Sequence, residues 1–307
     1  MRILITGGQG FIGQNLQEEL SRFPHEVVAL GRRNGLDLSD LKNTCGILTE
    51  VSPDAVFNCA AHVGSLHYVS QHAADLLHDN TVIAINLYRA VQQVCPKAIV
   101  INPLSNCSYP GDADFQKEED WLKGDVHPSV FSAANAKRFV YMIAVAYKKQ
   151  YDVRSVNFLV PNTFGPGDYT DPNRTHALNG MVIRMIQAHR NGEPRFEIWG
   201  TGRPVREWGY VKDVARVLAR ALRVREDLTY PVNVGQNRGY SIAESARMIA
   251  GAIGFEGKLW FNTKYQDGAP SKVLDDRRFR QLFPDFQFSD HEQGIRETVD
   301  YYQTALA

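Results

Sequence analysis

Three features of the sequence predict an α/β protein built on a doubly wound parallel sheet, with a smaller C-terminal α/β domain. Apolar, β-branched runs alternate with helical patterns, the first strand runs straight into a glycine-rich turn, and the texture changes after Pro161. The strand candidates are "RILIT", "EVVAL", "DAVFN", "AIVINPLS" and "VRSVNFLVP". Between them lie "QNLQEELSRF", a helix end at "ILTEV", and the long amphipathic stretches "AADLLHDNTVIAINLYRAVQQVC" and "AANAKRFVYMIAVAYKKQY". Strands separated by helices imply βαβ units and a parallel sheet. Beyond Pro161, "NTFGPGDYTDPNRTH" is loop-rich, "ALNGMVIRMIQAHRNG" is helical, and short elements follow. The expected division is 1–165 with a return over about 209–236 for the first domain, and 166–208 with 237–307 for the second.

The composition is globular: 307 residues, 44% hydrophobic and 22% charged, enough for a large core and two domains. Lys+Arg and Asp+Glu are equal at 34 each, so no overall basic field points to nucleic acid or an anionic membrane. Cys45, Cys59, Cys95 and Cys107 have neither CxxC nor Cys/His zinc spacing, so no metal is expected and a reducing, cytoplasmic setting is. "MRILIT" leads directly into the glycine turn, leaving no room for a signal peptide, and no apolar run is long enough to span a bilayer.

Gly7, Gly10 and Gly13 of "TGGQGFIG" follow a strand and open a helix at Phe11 and Ile12. Glycine allows the tight turn and the close approach of a pyrophosphate, and the helix N-terminus offers it free N–H groups. In this context the loop reads as a Rossmann-type dinucleotide fingerprint. At the end of the second strand an acidic residue would hold the ribose of NAD, whereas arginine accommodates the 2′-phosphate of NADP. The chain has Arg32 and Arg33 there, so NADP(H) is expected over NAD(H). Asp37 and Leu38 lie where adenine contacts form, although Asp37 could equally cap a helix. Ala60 and Ala61, just past the third strand, complete the expected cofactor contacts.

"TGGQGFIG", "NCAAHVG", "SNCSYP" and the Lys137 of "NAK" resemble the extended short-chain dehydrogenase/reductase superfamily. Within it the chain most resembles the GDP-L-fucose synthase family, whose later signatures are similar to "NTFGPGDY", "IWGTGRPVREWGYVKDVA" and "DGAPSKVLD". The likeness runs nearly end to end. It implies a Rossmann-type domain, a GDP-sugar or other nucleotide-sugar substrate used in polysaccharide biosynthesis, and a homodimer built on the two long helices. It also implies the family's reaction, in which GDP-4-keto-6-deoxy-mannose is epimerised at C3 and C5 and reduced at C4 with NADPH.

The resemblance assigns two groups of residues. For reduction, Ser105 matches the serine that orients the carbonyl and Lys137 the lysine that grips the nicotinamide ribose and lowers a tyrosine pKa. The position of that tyrosine, four residues before Lys137, holds Ala133. A methyl group cannot donate a proton, and a positioned acid contributes about 10²–10⁴-fold, so ketone reduction is expected to be crippled by that factor. For epimerisation, Cys107 and His176 match the acid/base pair, although a lone cysteine or histidine is more commonly structural. At the nucleotide end Arg206 matches a phosphate-binding arginine, Trp199 and Lys272 match further nucleotide contacts, and Asn162 and Met181 are further lining candidates. His62 departs from the lysine usual after the alanine pair, and "VGSL" replaces a double glycine, both near the sugar. With Ser105, Cys107, Lys137 and His176 all present, the pattern fits a single Tyr→Ala replacement; a natural epimerase without reduction and a non-catalytic binder are the alternatives.

Overall fold

The computed structural model describes residues 1–171, 174–224, 227–265 and 267–307. Strands β1 (Arg2–Thr6), β2 (Glu26–Leu30), β3 (Ala55–Asn58) and β4 (Ile99–Ser105) alternate with helices α1 (Phe11–Leu20), α2 (Leu41–Val51), the short α3 (Leu66–Gln71) and α4 (Ala73–Val94). A two-residue strand β5 (Phe115–Gln116) precedes α5 (Phe131–Tyr151), β6 (Ser155–Val160) and β7 (Asn162–Phe164). Then follow α6 (Ala177–Arg190), β8 (Arg195–Trp199), β9 (Val205–Arg206), β10 (Trp208–Tyr210), α7 (Val211–Arg220) and β11 (Leu228–Asn233). The C-terminal part holds β12 (Tyr240–Ser241), α8 (Ile242–Ile253), β13 (Lys258–Asn262), β14 (Ser271–Leu274), α9 (Arg277–Leu282) and α10 (His291–Ala305).

The main sheet has six parallel strands in the order β11-β6-β4-β3-β1-β2. Side chains alternate along each strand, which sorts them onto two covered faces. Ile3, Ile5, Phe57, Ile101 and Phe158 pack with Leu16 and Leu20 of α1 and with Val214 and Leu218 of α7. Leu4, Val56 and Val100 pack instead with Leu48 of α2, Leu87 and Val91 of α4 and Ala144 of α5. This is the doubly wound Rossmann-type sheet. From β1 the chain moves to β2 on one side and then to β3 on the other, so the strand order reverses at β1. Open α/β sheets bind ligands beyond their carboxyl ends at such a reversal.

A row of polar side chains crosses the otherwise apolar sheet. Thr6, Asn58, Asn102 and Asn157 lie in register on the adjacent strands β1, β3, β4 and β6. Asn58 Nδ2 donates to Asn102 Oδ1 at 2.9 Å, and Asn102 Nδ2 donates to Asn157 Oδ1 and to Tyr88 Oη, both at 2.8 Å. Asn157 Nδ2 continues the row to the Thr229 carbonyl of β11 at 2.7 Å.

The second core gathers α6, α8 and α10 around β8 and β13, with Val182, Ile186, Phe196, Ile249 and Val299 buried. A small sheet in the order β12-β9-β14-β5 joins the two regions, because β5 lies before α5 in the chain while β14 lies far beyond it. The chain also crosses back: β11 forms the edge of the main sheet, and Phe279, Phe283 and Phe286 pack in the same core as Ile3. The helices α4 and α5 pack side by side and leave Ile85, Met142 and Val145 exposed. No helix among the described residues is long and apolar enough to cross a membrane.

Replacing Asn102 by Ala strands the buried Asn58, Tyr88 and Asn157 groups at once. Equilibrium urea unfolding should show a loss of about 3 kcal/mol, since each buried polar group left unpaired costs about 1–3 kcal/mol; a loss below about 1 kcal/mol would remove the row from any structural role.

Candidate active site

The carboxyl end of β1 turns at Gly7, whose φ of +67° suits glycine. A Cβ there would lie 2.7 Å from the Ala60 backbone, and one on Gly13 would lie 2.3 Å from the Gly7 carbonyl. Gly10 caps α1 without a side chain, so the first-turn N–H groups face outward at the helix N-terminus. A cleft of about 620 Å³ opens over this turn, and Gly7, Gly10, Phe11, Arg32, Arg33, Asp37, Leu38, Ala60 and Ala61 all border it. Ile12 instead packs on the first core. Arg32 and Arg33 sit in a short turn that Asn34 pins, accepting from the Gly31 N–H at 2.6 Å and donating to the Ala29 carbonyl at 3.1 Å. Arg32 is 3.8 Å from Asp37. Asp37 accepts from the hydroxyl and N–H of Ser39, which hold its carboxyl below the usual range; α2 is capped by Asp40 and not by Asp37.

Ser105 ends β4, two strands from β1, and its Oγ accepts from the Cys107 N–H at 3.3 Å. The turn carrying Cys107 is braced from several sides. Trp121 Nε1 donates to Ser108 Oγ at 2.8 Å, and Arg138 donates to the carbonyls of Ser108 (2.8 Å) and Trp121 (3.1 Å). The Asn106 and Gln116 side chains bond to each other at 3.2 Å, and Gln116 Nε2 donates to the Asn106 carbonyl at 3.3 Å, tying the turn to β5. On α5, Ala133 and Lys137 share one face, four residues apart. Ser132 is buried, and its hydroxyl has no hydrogen-bond partner among the described residues.

Lys137 Nζ donates to the Pro103 carbonyl at 3.2 Å. Burial lowers its pKa, opposed by the nearby Cys107 and Cys59 side chains. Burial likewise lowers the pKa of Lys272, again opposed by Cys107 and aided by the neighbouring Arg206 charge. Cys107 is therefore within electrostatic range of two lysines, Lys137 on α5 and Lys272 on β14. Lys272 and Arg206 are cross-strand neighbours on β14 and β9, and burial lowers the Arg206 pKa too. Among the described residues none of Lys137, Arg206 and Lys272 is in an ion pair. Arg206 has the Asp267 carboxylate nearby, which opposes the effect of burial. No carboxylate acts on Lys137 or Lys272 in this way. Enclosed cations of that kind are costly, and an anionic ligand relieves the cost.

His176 stands at the N-cap of α6, its ring 5.3 Å from that of Phe11 in the glycine loop. Its Nδ1 faces Asp168 Oδ2 at 2.8 Å, which leaves Nε2 directed elsewhere. Burial would raise the Asp168 pKa. Hydrogen bonds from the His176 ring and N–H and the Thr175 hydroxyl, with the imidazole charge, outweigh it and hold the group at about 2. Asp168 borders the same cleft as Gly10. Neither Asp168 nor Arg138 stood out in the sequence. A carboxylate in the loop before a candidate histidine was the only signal for Asp168.

Trp199 is 55% exposed at the tip of β8 and stacks on Tyr265, centroids 5.0 Å apart at 23°, with the Arg184 guanidinium 5.3 Å above it. Asn162 opens β7 and is partly exposed, whereas Met181 lies in the second apolar core. The structure thus groups Ser105, Cys107, Ala133, Lys137, Lys272 and Arg206, and places His176 beside the glycine loop. Trp199 stands apart at a strand tip.

Residues 3–235 match the model of the NAD dependent epimerase/dehydratase family, and the chain belongs to that family. It is 28% identical to a GDP-L-fucose synthase of Dictyostelium discoideum, over 99% of this chain and 97% of that protein. It is 29% identical to a probable GDP-L-fucose synthase of Drosophila melanogaster, over 98% of this chain and 97% of that protein. A crystal structure of a GDP-L-fucose synthetase from Naegleria fowleri bound to NADP superposes with a TM-score of 0.90 at 27% identity, covering 99% of this chain and 93% of that one.

The depressed Asp168 pKa predicts a pH signature. A carboxyl ionised more readily when folded stabilises the fold fully above its ordinary value and loses that contribution as pH falls toward about 2. Urea unfolding should show Asp168→Asn less stable than the parent by a constant amount at neutral pH, with the gap closing below roughly pH 4. A gap independent of pH would disprove the ion pair.

Proposed function

We propose that the chain is a sugar-nucleotide epimerase/4-ketoreductase of GDP-4-keto-(6-deoxy) sugars that uses NADPH, with reduction crippled at Ala133. The observation that carries this reading is the line Lys137–Cys107–Lys272–Arg206. It joins a helix lysine bonded to the end of β4, a thiol in the turn that follows that strand and two part-buried cations fit for a diphosphate.

The cleft fits a dinucleotide: the glycines leave room for a pyrophosphate against the open N-terminus of α1, and Arg32 and Arg33 stand where a 2′-phosphate would lie. When bound, the reduced nicotinamide supplies a hydride to the ketone carbon. Lys137 holds the ribose and Ser105 Oγ the ketone oxygen. Cys107, near Lys137 and Lys272, takes the proton α to the ketone, and His176 Nε2, oriented by Asp168, serves the opposite face. Arg206 and Lys272 bind the diphosphate, and Trp199 offers a ring face to the base. Asn162 lines the sugar end. The intact surroundings of Ala133 are what a single Tyr→Ala replacement leaves behind.

Incubation with a GDP-4-keto-6-deoxy sugar in D₂O tests the reading by NMR. Deuterium should enter C3 or C5, Cys107→Ala should abolish the exchange, and Ala133→Tyr should raise NADPH oxidation by about 10²-fold or more. Oxidation of NADPH at an ordinary enzymatic rate without that change would refute the role given to position 133.

The same reading includes a homodimer through α4 and α5, whose exposed Ile85, Met142 and Val145 form an apolar face. Sedimentation should give a dimer for the parent and a monomer for Met142→Glu combined with Val145→Glu; a monomeric parent excludes this assembly.

A further inference from the structure

We infer that Tyr68, backed by His62 and Asp79, delivers a proton to the substrate's carbonyl oxygen by a route that does not pass through position 133. The inference rests on the sugar-nucleotide reading above. His62 Nε2 lies 2.9 Å from the Tyr68 hydroxyl, and His62 Nδ1 lies 2.9 Å from Asp79 Oδ2. Hydroxyl, imidazole and carboxylate thus form one continuous chain. It is rigidly held. The His62 backbone exchanges two hydrogen bonds with the Asn80 side chain, at 2.8 and 2.9 Å, and Asp79 Oδ1 also takes a bond from His78 Nδ1 at 3.1 Å.

Three contacts place Tyr68 behind the rim of the cleft, next to the segments that carry the candidate catalytic residues. His62 borders the cleft next to Ala60 and Ala61. The helix α3, which carries Tyr68, packs against Pro128–Val130, the turn that runs directly into Phe131 and Ala133. Arg174, two residues before His176, holds its guanidinium 5.6 Å over the Tyr68 ring and borders the same cleft. Tyr68 is thus bounded by the segments that carry Ala61, Ala133 and His176, and its ring is only partly buried. A second imidazole, His72, lies against the same ring at 4.4 Å.

The step balances. Once the ketone carbon has been reduced, its oxygen carries the negative charge and takes the Tyr68 proton, forming the O–H bond of the alcohol. Tyr68 regains a proton from Nε2–H of a protonated His62, whose charge Asp79 balances while it exists. The neutral imidazole then recovers its proton from solvent, to which its side chain is 23% exposed. The reductant is the nicotinamide dinucleotide of the proposed function, and one solvent proton is consumed per turnover. Tyr68 is the catalytic residue of this route, and His62 and Asp79 are positioning residues.

The test uses the full chain with NADPH and a GDP-4-keto-6-deoxy sugar. The slow reduction left in the presence of Ala133 should fall at least about tenfold in Tyr68→Phe and in His62→Gln, with kcat lowered and KM little changed. Adding Ala133→Tyr should rescue Tyr68→Phe to within about threefold of Ala133→Tyr alone, whereas a merely structural Tyr68 would cost the same factor in both backgrounds. Independently of turnover, the ¹⁵N NMR signal of His62 Nε2 should shift in Tyr68→Phe, and thermal unfolding shows whether that variant is folded. An unchanged slow rate in Tyr68→Phe, or an equal loss in both backgrounds, overturns the proposal. If folded Ala133→Tyr reduces no keto sugar nucleotide, the functional reading falls and takes this proposal with it.

Discussion

The constraint on which the site depends is the row Thr6–Asn58–Asn102–Asn157, which runs at one level across four strands. Parallel strands made of near-continuous apolar residues carry little intrinsic register information, because one Val or Ile replaces another at small cost. A buried amide is different. It must meet its partner, and a slip of one residue would turn each Asn to the opposite face and leave several polar groups unpaired. The row lies immediately beneath the functional ends of the strands. Gly7 follows Thr6, Cys59 and Ala60 follow Asn58, and Pro103 to Ser105 follow Asn102. The glycine turn, the alanine pair and the Ser105 turn therefore start from a common floor, and their relative heights are inherited from it.

Above that floor the site is an exercise in placing charge. Lys137, Lys272 and Arg206 are cations in enclosed surroundings, and each keeps a lowered pKa chiefly because burial disfavours its charge. Such a group is costly unless an anion stands near it; Arg206 has Asp267, and under the proposed function the substrate would serve the two lysines. His176 represents the opposite solution, because its counter-charge is built in. Asp168 Oδ2 takes four hydrogen bonds, from the Thr175 hydroxyl, the His176 N–H and ring, and Asn179 Nδ2, so the imidazole is oriented before any substrate arrives. The two lysines lack a built-in counter-charge, whereas the histidine already holds one.

Much of this was legible in the sequence. The strand and helix alternation, the Gly7–Gly13 turn and the long helices follow from local patterns, which depend on neighbours in the chain. The pairing of Lys272 with Arg206, the Asp168–His176 bond and the Tyr68–His62–Asp79 chain join residues between 6 and 66 positions apart on separate or loop elements. No periodicity connects such residues. The asparagines of the row were hidden for a different reason: inside "FNCAA", "INPLS" and "VNFLV" they read as interruptions of apolar strands, and only the register shows that the interruptions coincide. His62 was visible as a departure from the family pattern, but its meaning depended on Tyr68 and Asp79, which are ordinary surface residues when read in sequence. Asp37 illustrates ambiguity resolved by distance, since its carboxylate serves Ser39 and the cap of α2 falls to Asp40.

The short strand β5 has a consequence for selectivity. It pairs with β14 next to Lys272, and through Gln116 it grips the turn that holds Cys107. Asn233 of the main sheet clamps the junction again by donating to the Gln116 and Asp275 carbonyls at 2.8 and 3.1 Å. The turn that holds the thiol and the strands that carry Lys272 and Arg206 therefore belong to one hydrogen-bonded unit. Under the proposed function their spacing would act as a ruler fixed during folding, against which a substrate is measured from its anionic linkage to its reacting carbon. A molecule with one bond too many or too few along that span would anchor correctly at one end and miss at the other.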